Sequence, residues 1–122
     1  MIRDRSCRKL FVVIPLLLLT GCATQKYSWY GYDDSLYAYY KHPENKQKFI
    51  ERLNEIITNA EHANAKVPPG IYAEYGYVFF EAQDYSKAIV YFQKEEILWS
   101  ESAFFMEKMI RDAKEMLNKK TV

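Results

Sequence analysis

The fold is decided by residues 71–92, which read IYAEYGYVFFEAQDYSKAIVYF. Asp84 stands in the middle of this stretch, and Asp is a strong helix N-cap because its carboxylate accepts a hydrogen bond from a free backbone N–H. The stretch therefore predicts two helices, over residues 71–82 and from 85 to about 98, joined by a tight turn. Tyr and Phe also favour strands, and residues 75–80 are the one segment where a strand competes, but the helical flanks favour a helix there too.

Helical patterns continue upstream of this pair. Apolar residues over 49–63 recur at i, i+3, i+4 and i+7, which predicts a long amphipathic helix that ends near residue 64. A short helix over 35–41 precedes it, with Asp33 or Asp34 as its N-cap. His42-Pro43 predicts the boundary between the two helices, because a residue before proline avoids the helical region.

Two breaks enclose the central pair, at residues 66–70 and 99–102. After the second break, residues 103–118 present an apolar face and predict a last helix, with Ser100 or Ser102 available as its N-cap. Its polar side carries Glu107, Arg111 and Glu115 at i, i+4 spacing, which favours ion pairs. The pattern predicts an all-α domain of about five helices over residues 33–122.

The N-terminus has the pattern of a secretory signal, with four basic residues before an apolar run over 10–19. As a helix this run rises only about 15 Å, half of a bilayer core of about 30 Å, so a permanent transmembrane helix is not expected. The following Leu19-Thr20-Gly21-Cys22 resembles the lipobox of bacterial lipoproteins. This resemblance implies that residues 1–21 are removed, that Cys22 is acylated (a site for palmitate), and that 22–32 form a tether. The alternative is an ordinary signal peptide that leaves Cys22 free.

Ala23, rather than Asp, follows the lipobox cysteine. If the host is Gram-negative, which is an assumption, the sorting rule of such lipoproteins implies the outer membrane. The domain would then be lipid-anchored and face the periplasm.

The composition excludes several classes of protein. The 122 residues carry 17 basic and 16 acidic side chains, a balance that does not suit a strongly basic nucleic-acid binder. Removal of residues 1–21 takes four basic residues and one acidic residue, which leaves 13 and 15 in a mature chain of 101. Cys7 leaves with the signal, and an acylated Cys22 offers no thiol for metal, disulfide or nucleophilic chemistry.

Residues 69–102 resemble a tetratricopeptide repeat, a 34-residue helix–turn–helix. With Ala88 at the small position of the second helix, Gly76 falls where the family has a small residue that lets the helices approach. The other matches are bulky or aromatic: Tyr72, Phe79, Tyr85 and Phe92. The resemblance implies a short α-solenoid built from helical hairpins of tetratricopeptide type, two to two and a half pairs in all.

The chain departs from that repeat at three positions. Gln83 replaces the usual turn glycine, Glu95 stands where the family has Ala, and Ser100 stands where it has Pro. The later part of the repeat is therefore degenerate.

The opening of the mature chain, Tyr-Ser-Trp-Tyr-Gly-Tyr-Asp-Asp-Ser-Leu-Tyr over 27–37, is followed by a long helix, Pro-Pro-Gly and the repeat. Together they are similar to a family of small uncharacterised bacterial lipoproteins, a domain of unknown function. The resemblance implies genes beside a lipoprotein similar to the curli-secretion pore subunit, and so a possible partner of that kind. A weaker resemblance is to repeat-containing lipoproteins that activate peptidoglycan synthases.

No enzyme constellation is visible in the sequence. His42 precedes a proline at a turn, and His62 lies on the polar side of a long helix. Glu51 and Glu55 are one turn apart, but carboxylates at this spacing usually form a solvated face. We expect a protein that is not an enzyme, with no catalytic residue, no metal site, no cofactor and no nucleic-acid partner.

Binding to a protein has a geometric basis in such repeats, because the first helix of each pair lines a concave groove. In this register Ala73, Tyr77, Phe80 and Glu81 face the groove. Tyr suits an interface because it offers a large apolar area with a polar tip. The alternative is that Phe80 belongs to the core and that Tyr77 packs against a neighbouring helix.

Three aromatic residues near the lipidation site, Trp29, Tyr30 and Tyr32, have two possible roles. They either rest at the membrane headgroup level or pack back on the domain.

The sequence leaves three functions open. The first is a non-enzymatic outer-membrane lipoprotein that acts as an adaptor for a partner in the cell envelope. The second is an activator of a peptidoglycan synthase, and the third is a structural envelope lipoprotein without a specific ligand. The tether from Cys22 to Asp33 reaches at most about 40 Å, which favours a partner close to the outer membrane.

Overall fold

The stretch 71–92 forms the helical pair that its pattern predicts. The computed structural model describes residues 26–121, and in that range the chain forms five α-helices and no strand. We number them α1 (Tyr32–Lys41), α2 (Lys46–His62), α3 (Ile71–Glu81), α4 (Tyr85–Leu98) and α5 (Ala103–Lys120). The prediction of an all-α domain with about five helices is confirmed. The predicted signal segment, Cys22 and Ala23 lie outside the described residues.

α3 and α4 pack side by side around a tight turn. The predicted cap is confirmed, since the Asp84 carboxylate accepts a hydrogen bond from the Lys87 N–H at 3.3 Å. Gln83, which replaces the usual turn glycine, takes the left-handed conformation with φ of 61°. Gly76 allows the two helices to approach, because a β-carbon there would lie 2.8 Å from the ring of Phe92.

The start of α1 differs from the prediction. The helix begins three residues earlier, and its N-cap is Gly31, whose φ of 72° makes a left-handed turn. This turn lets the Tyr32 N–H donate to the Trp29 carbonyl at 2.9 Å. The prediction of a cap at Asp33 or Asp34 is wrong, because both lie inside the first turn. Their negative charge there still favours the helix dipole.

α2 is preceded by a 3-10 turn, Pro43–Asn45, in the region where the sequence predicts the start of the helix. Proline suits this first turn because it has no N–H to leave unbonded. The predicted apolar face of α2 is buried at positions three or four residues apart, with Ile56 and Ile57 side by side. The buried residues are Phe49, Leu53, Ile56, Ile57 and Ala60.

α5 is the longest of the five helices, with 18 residues. Ser102 occupies the N-cap position, as one of the two predicted alternatives has it, but its side chain makes no capping hydrogen bond. Ser100 is not the cap, because it begins the 3-10 turn before α5. The ion pairs on its polar side also differ from those predicted, since Lys108 pairs with Asp112 and Lys119 with Glu115, each at 2.7 Å. Between residues 26 and 121, no helix combines the length and the apolar character needed to cross a membrane.

Buried side chains form two clusters. The larger joins α2 to the start of α3 through Phe49, Leu53, Ile56, Ile57, Ala60, Val67, Ile71, Tyr72 and Tyr75. The smaller joins α4 to α5 through Ala88, Phe92, Met106 and Ile110. Phe79 of α3 packs against both clusters, so the core is continuous across that helix.

The connections gather at two ends of the helices. At one end the Trp99 indole N–H donates to the Val67 carbonyl at 3.2 Å, which joins the α2–α3 connection to the α4–α5 connection. Tyr27 packs its ring edge-on against Trp99 at 5.6 Å, so the N-terminal segment reaches the domain at this end as well. We call it the Trp99 end. At the opposite end, Lys120 of α5 donates to the carbonyl of Gln83 between α3 and α4.

Candidate partner-binding groove

A cavity of about 410 Å³ opens between α3 and α5 and is bordered by α1 and the start of α2. We call it the groove. Most of its lining is apolar. The side chains that line it are Leu36, Tyr39, Lys46, Phe49, Ala73, Glu74, Tyr77, Val78, Glu81, Phe92, Phe105, Met106 and Met109.

Three of the four predicted binding residues line this groove, namely Ala73, Tyr77 and Glu81. Tyr77 is 50% exposed, so half of its surface is free to contact another molecule. Phe80 does not line the groove. It is half-buried, packs against the smaller cluster and lies edge-on to Tyr85 at 5.3 Å. Its other neighbour is the Tyr77 ring, which stacks on it at 6.3 Å.

α1 and α5 also contribute walls to the groove, which the sequence pattern does not predict. Leu36 and Tyr39 of α1 form one side, and Phe105 and Met109 of α5 form the other. Phe105 is 58% exposed, although its place in the apolar pattern of α5 assigned it to the packed face. Helical spacing identifies an apolar stripe but does not tell which edge of that stripe a neighbouring helix leaves uncovered.

One ion pair lies at the rim of the groove, on the side away from the Trp99 end. Lys46 at the start of α2 and Glu81 at the end of α3 approach to 2.8 Å. The hydrogen bond that Lys46 donates to the Glu81 carboxylate raises the pKa of Lys46. Both side chains are substantially exposed, so the pair contributes little to stability. Its effect is to place both signs of charge at the edge of an apolar surface.

Glu74 is a half-buried carboxylate in the lining of the groove. Its Oε1 accepts a hydrogen bond from the Tyr32 hydroxyl at 2.5 Å, which fastens the start of α1 to α3. Burial raises the pKa of Glu74, and the Tyr32 hydrogen bond opposes that rise. Burial also raises the pKa of Tyr32, so this phenol stays protonated and remains a donor. Within residues 26–121, the second carboxylate oxygen of Glu74 is buried without a hydrogen-bond partner.

The residues assigned to repeat packing lie between α3 and α4. Tyr72, Tyr85, Ala88 and Phe92 are buried, and the half-buried Phe79 stacks on Tyr91 at 5.5 Å. The Tyr72 hydroxyl also donates to Glu61 of α2 at 2.7 Å. Lys94 of α4 binds the same carboxylate at 2.8 Å and lies 5.2 Å from the centre of the Tyr72 ring. The Lys94 and Tyr72 hydrogen bonds together lower the pKa of Glu61.

The aromatic residues in and just before the first turn of α1 differ in exposure. Trp29 and Tyr32 are half-buried and pack against the larger cluster, with their rings 5.6 Å apart. Tyr30 is 44% exposed. Trp29 and Tyr32 thus pack back on the domain, which is one of the two roles that the sequence allows.

Both histidines are exposed, and so are Glu51 and Glu55. The Nδ1 atom of His42 lies 3.2 Å from a carboxylate oxygen of Glu44, and both side chains are well exposed. His62 is at the end of α2 and is also exposed. Glu51 accepts a hydrogen bond from Gln47, and Glu55 pairs with Arg52. Among the residues that the structure describes, no three or more His, Cys, Asp or Glu side chains come together as a metal site would require.

Comparison with known proteins gives one match. Neither the curated proteins nor the solved structures include one that matches the chain. A family model does match, over residues 26–109, which span the described N-terminal segment, α1 to α4 and the first part of α5. By this match over more than half of its length, the chain belongs to the family of the domain of unknown function DUF4810.

Proposed function

We propose that this protein is a non-enzymatic adaptor of the cell envelope that is anchored to the outer membrane by a lipid on Cys22. In this proposal the groove binds a segment of a partner protein in the outer membrane or the periplasm. The resemblance of the mature chain to a family of small bacterial lipoproteins suggests one such partner, a lipoprotein similar to the curli-secretion pore subunit.

The observation that carries the proposal is the composition of the groove. Tyr77 and Phe105 stand on opposite sides of an apolar cavity and are 50% and 58% exposed. Exposed aromatic side chains around a preformed concave surface are typical of the anchors of protein interfaces. The Lys46–Glu81 pair at the rim supplies polar groups of the kind that surround such a centre.

The length of the tether favours a partner near the same membrane. Because Tyr27 packs on Trp99 and Trp29 packs on the core, the free tether ends at about Lys26. Lys26 is only four positions after Cys22, a reach of about 14 Å when fully extended. An activator of a peptidoglycan synthase has to extend much further from the outer membrane, so this length counts against that alternative.

We also propose that residues 69–102 are a degenerate tetratricopeptide-like repeat. Support comes from Gly76 against Phe92, from the fully buried Ala88, and from the Asp84 cap between the two helices. The departure at position 95 has a local cause, because a carboxylate there binds the start of α3. In this proposal α5 occupies the position of the first helix of the following repeat, and for that reason it forms a wall of the groove.

Site-specific photo-crosslinking in cells tests the groove. A photoreactive phenylalanine analogue replaces Phe105 in the groove or, as the control, Val90 on the outer side of α4, which is 49% exposed. We expect one envelope protein to be captured from position 105 and not from position 90. Adding Tyr77→Ala to the Phe105 probe should weaken capture about tenfold, equivalent to about 1.4 kcal/mol of binding free energy. The adaptor proposal fails if both positions capture the same proteins or if neither captures any.

Labelling with radioactive palmitate tests the anchor separately. The wild type should incorporate the label and Cys22→Ser should not. Equal labelling of the two chains would refute lipidation at Cys22 and leave the crosslinking result to be judged by itself.

A further inference from the structure

Two apolar side chains at the Trp99 end are almost wholly in contact with solvent. Ile97 is 85% exposed and Phe104 is 86% exposed, which makes them the most exposed large apolar residues of the part of the chain that the structure describes. Neither side chain lines the groove. The adaptor function therefore leaves this pair unexplained.

The pair lies at one end because of the directions of the helices. Ile97 belongs to the last turn of α4, Phe104 belongs to the first turn of α5, and the Trp99–Ser102 connection joins them. Val90 is on the same face of α4 as Ile97, since seven residues make nearly two turns, but it lies about 10 Å further from this end. On this face of α4, apolar exposure is thus greatest at the end itself.

The N-terminal segment reaches the domain at this same end. Tyr27 packs on Trp99, and Lys66 of the α2–α3 connection lies over the indole at 5.3 Å from the ring centre. Cys22 precedes Lys26 by four residues, so a lipid on Cys22 would hold this end within about 14 Å of the bilayer. This step rests on the anchor of the proposed function.

We propose that the Trp99 end is the membrane-facing surface of the protein and that Ile97 and Phe104 insert into the bilayer interface as a second contact beside the lipid anchor. The contact is mainly apolar. The exposed cations at this end, Lys26 and Lys66, are balanced by the acidic residues Glu96 and Glu101. Membrane insertion should therefore depend little on salt or on anionic lipid.

This orientation has a consequence for the groove. Tyr77 and Glu81 are six and ten residues beyond the first residue of α3, which starts at the Trp99 end. They would stand about 9 to 15 Å further from the membrane than Ile71. The part of the groove around Tyr77 and Glu81 would thus be held clear of the bilayer, where a partner can reach it, while Phe105 lies at its membrane-proximal edge.

Spin labels on the full-length chain test the proposal. Cysteine replaces Ile97 or Phe104, and matched controls carry it at Val90 on α4 or at Met116, near the far end of α5. All four side chains are at least 40% exposed, so labelling does not disturb the core. Each protein is placed in vesicles of phosphatidylethanolamine and phosphatidylglycerol, and the accessibility of the label to oxygen is compared with its accessibility to a water-soluble nickel complex. We expect the oxygen-to-nickel ratio at 97 and 104 to be several-fold higher than at 90 and 116.

The possible results separate this proposal from the anchor. Labels at 97 and 104 that stay in water on a palmitate-labelled, membrane-bound chain would refute the membrane contact alone. A chain that takes up no palmitate, carries a second spin label on a free Cys22 and stays in solution would refute both. Spin–spin broadening at 97 and 104 without membrane depth would show that a second copy covers this surface, which also overturns the proposal.

Discussion

Glu95 is a carboxylate that is fully buried between α3 and α4. Its Oε1 accepts a hydrogen bond from the Gly70 N–H at 2.7 Å, and the Ser102 hydroxyl approaches the same atom at 3.4 Å. α3 has no side-chain cap of its own, so a residue of the next helix serves its first free N–H. One side chain thereby joins α3, α4 and the turn before α5 at the Trp99 end.

Replacing Glu95 tests this role. Glu95→Ala, which introduces the residue of the tetratricopeptide family, should lower the free energy of unfolding by about 1–3 kcal/mol because the partly buried Gly70 N–H loses its acceptor. Glu95→Gln keeps an acceptor oxygen and should lose less. Urea denaturation measures both changes. An Ala variant as stable as the wild type would mean that the carboxylate does not hold the helix.

The same residue gives a pH dependence with a defined sign. Burial raises the pKa of Glu95 even though the backbone N–H groups of Gly70, Tyr72 and Ala73 favour its ionised form. A carboxyl whose pKa is higher in the folded than in the unfolded state contributes stability below the usual pKa and loses that contribution as the pH rises through the raised value. Burial raises the pKa of Glu74 in the same direction, so a single variant is needed to isolate Glu95.

We therefore compare Glu95→Gln with the wild type across pH. Gln does not ionise, so the stability of Glu95→Gln relative to the wild type should increase from about pH 4 to about pH 7. Urea midpoints at a series of pH values measure the difference. A difference that stays constant or declines over this range would contradict the raised pKa.

Gly76 presents the opposite case, a residue whose lack of a side chain is required. Alanine is normally the better helix former by about 1 kcal/mol, yet its β-carbon would lie 2.8 Å from the Phe92 ring and 3.2 Å from the Tyr91 β-carbon. Phe92 is only 1% exposed, so its ring would have to shift against the buried residues of the smaller cluster. Gly76→Ala should therefore lower the free energy of unfolding by about 1–3 kcal/mol. Gln93→Ala, exposed on α4, is the control and should change it by less than about 0.5 kcal/mol.

At the scale of elements, α1 is the helix most weakly attached. None of its residues is buried, and it is held by the Tyr32–Glu74 hydrogen bond and by the stacking of Tyr39 on Phe49 at 5.3 Å. Elements with few buried contacts open locally before the rest of a domain unfolds. We expect the amide hydrogens of α1 to exchange much faster than those of α4.

Tyr32→Phe removes only the hydroxyl that binds Glu74. Amide exchange should become faster in α1 and stay the same in α4, as measured by hydrogen exchange with mass spectrometry. The control is Tyr40→Phe, which is in the same helix and 79% exposed. If both variants exchange alike, the Tyr32 hydrogen bond does not fasten α1.

The sequence predicts the start and end of a helix correctly where the residues that set them are local in the sequence. α4 runs over the predicted residues because Asp84 marks its start and the break at Trp99 marks its end. α1 begins earlier than predicted because a backbone feature, the left-handed Gly31, sets its start rather than a capping side chain. The spacing within α3 placed Ala73, Tyr77 and Glu81 on one face. It gave no indication that Leu36 and Phe105, far apart in sequence, would form the walls, since that depends on how whole helices pack.

At the scale of the whole molecule, the two clusters are joined through α3. Phe79 packs against both, and it contacts Tyr75 edge-on at 5.0 Å and stacks on Tyr91 at 5.5 Å. The wild type should therefore unfold in one transition, in which circular dichroism and tryptophan fluorescence coincide. Phe79→Ala should cost about 3 kcal/mol and separate the two curves, because the shared contact is lost. Coincident curves in the variant would show that other contacts couple the clusters.

The packing of Tyr27 on Trp99 also has a mechanical consequence. Any pull on the chain before Lys26 is borne first by this edge-on ring contact and then by the Tyr32–Glu74 hydrogen bond, before it acts on α2 to α5. These contacts lie one after another along the chain, so they would break in sequence, starting from the N-terminal side. Under load the protein would lengthen by releasing residues 27–41, while the helices that carry most of the groove stay folded.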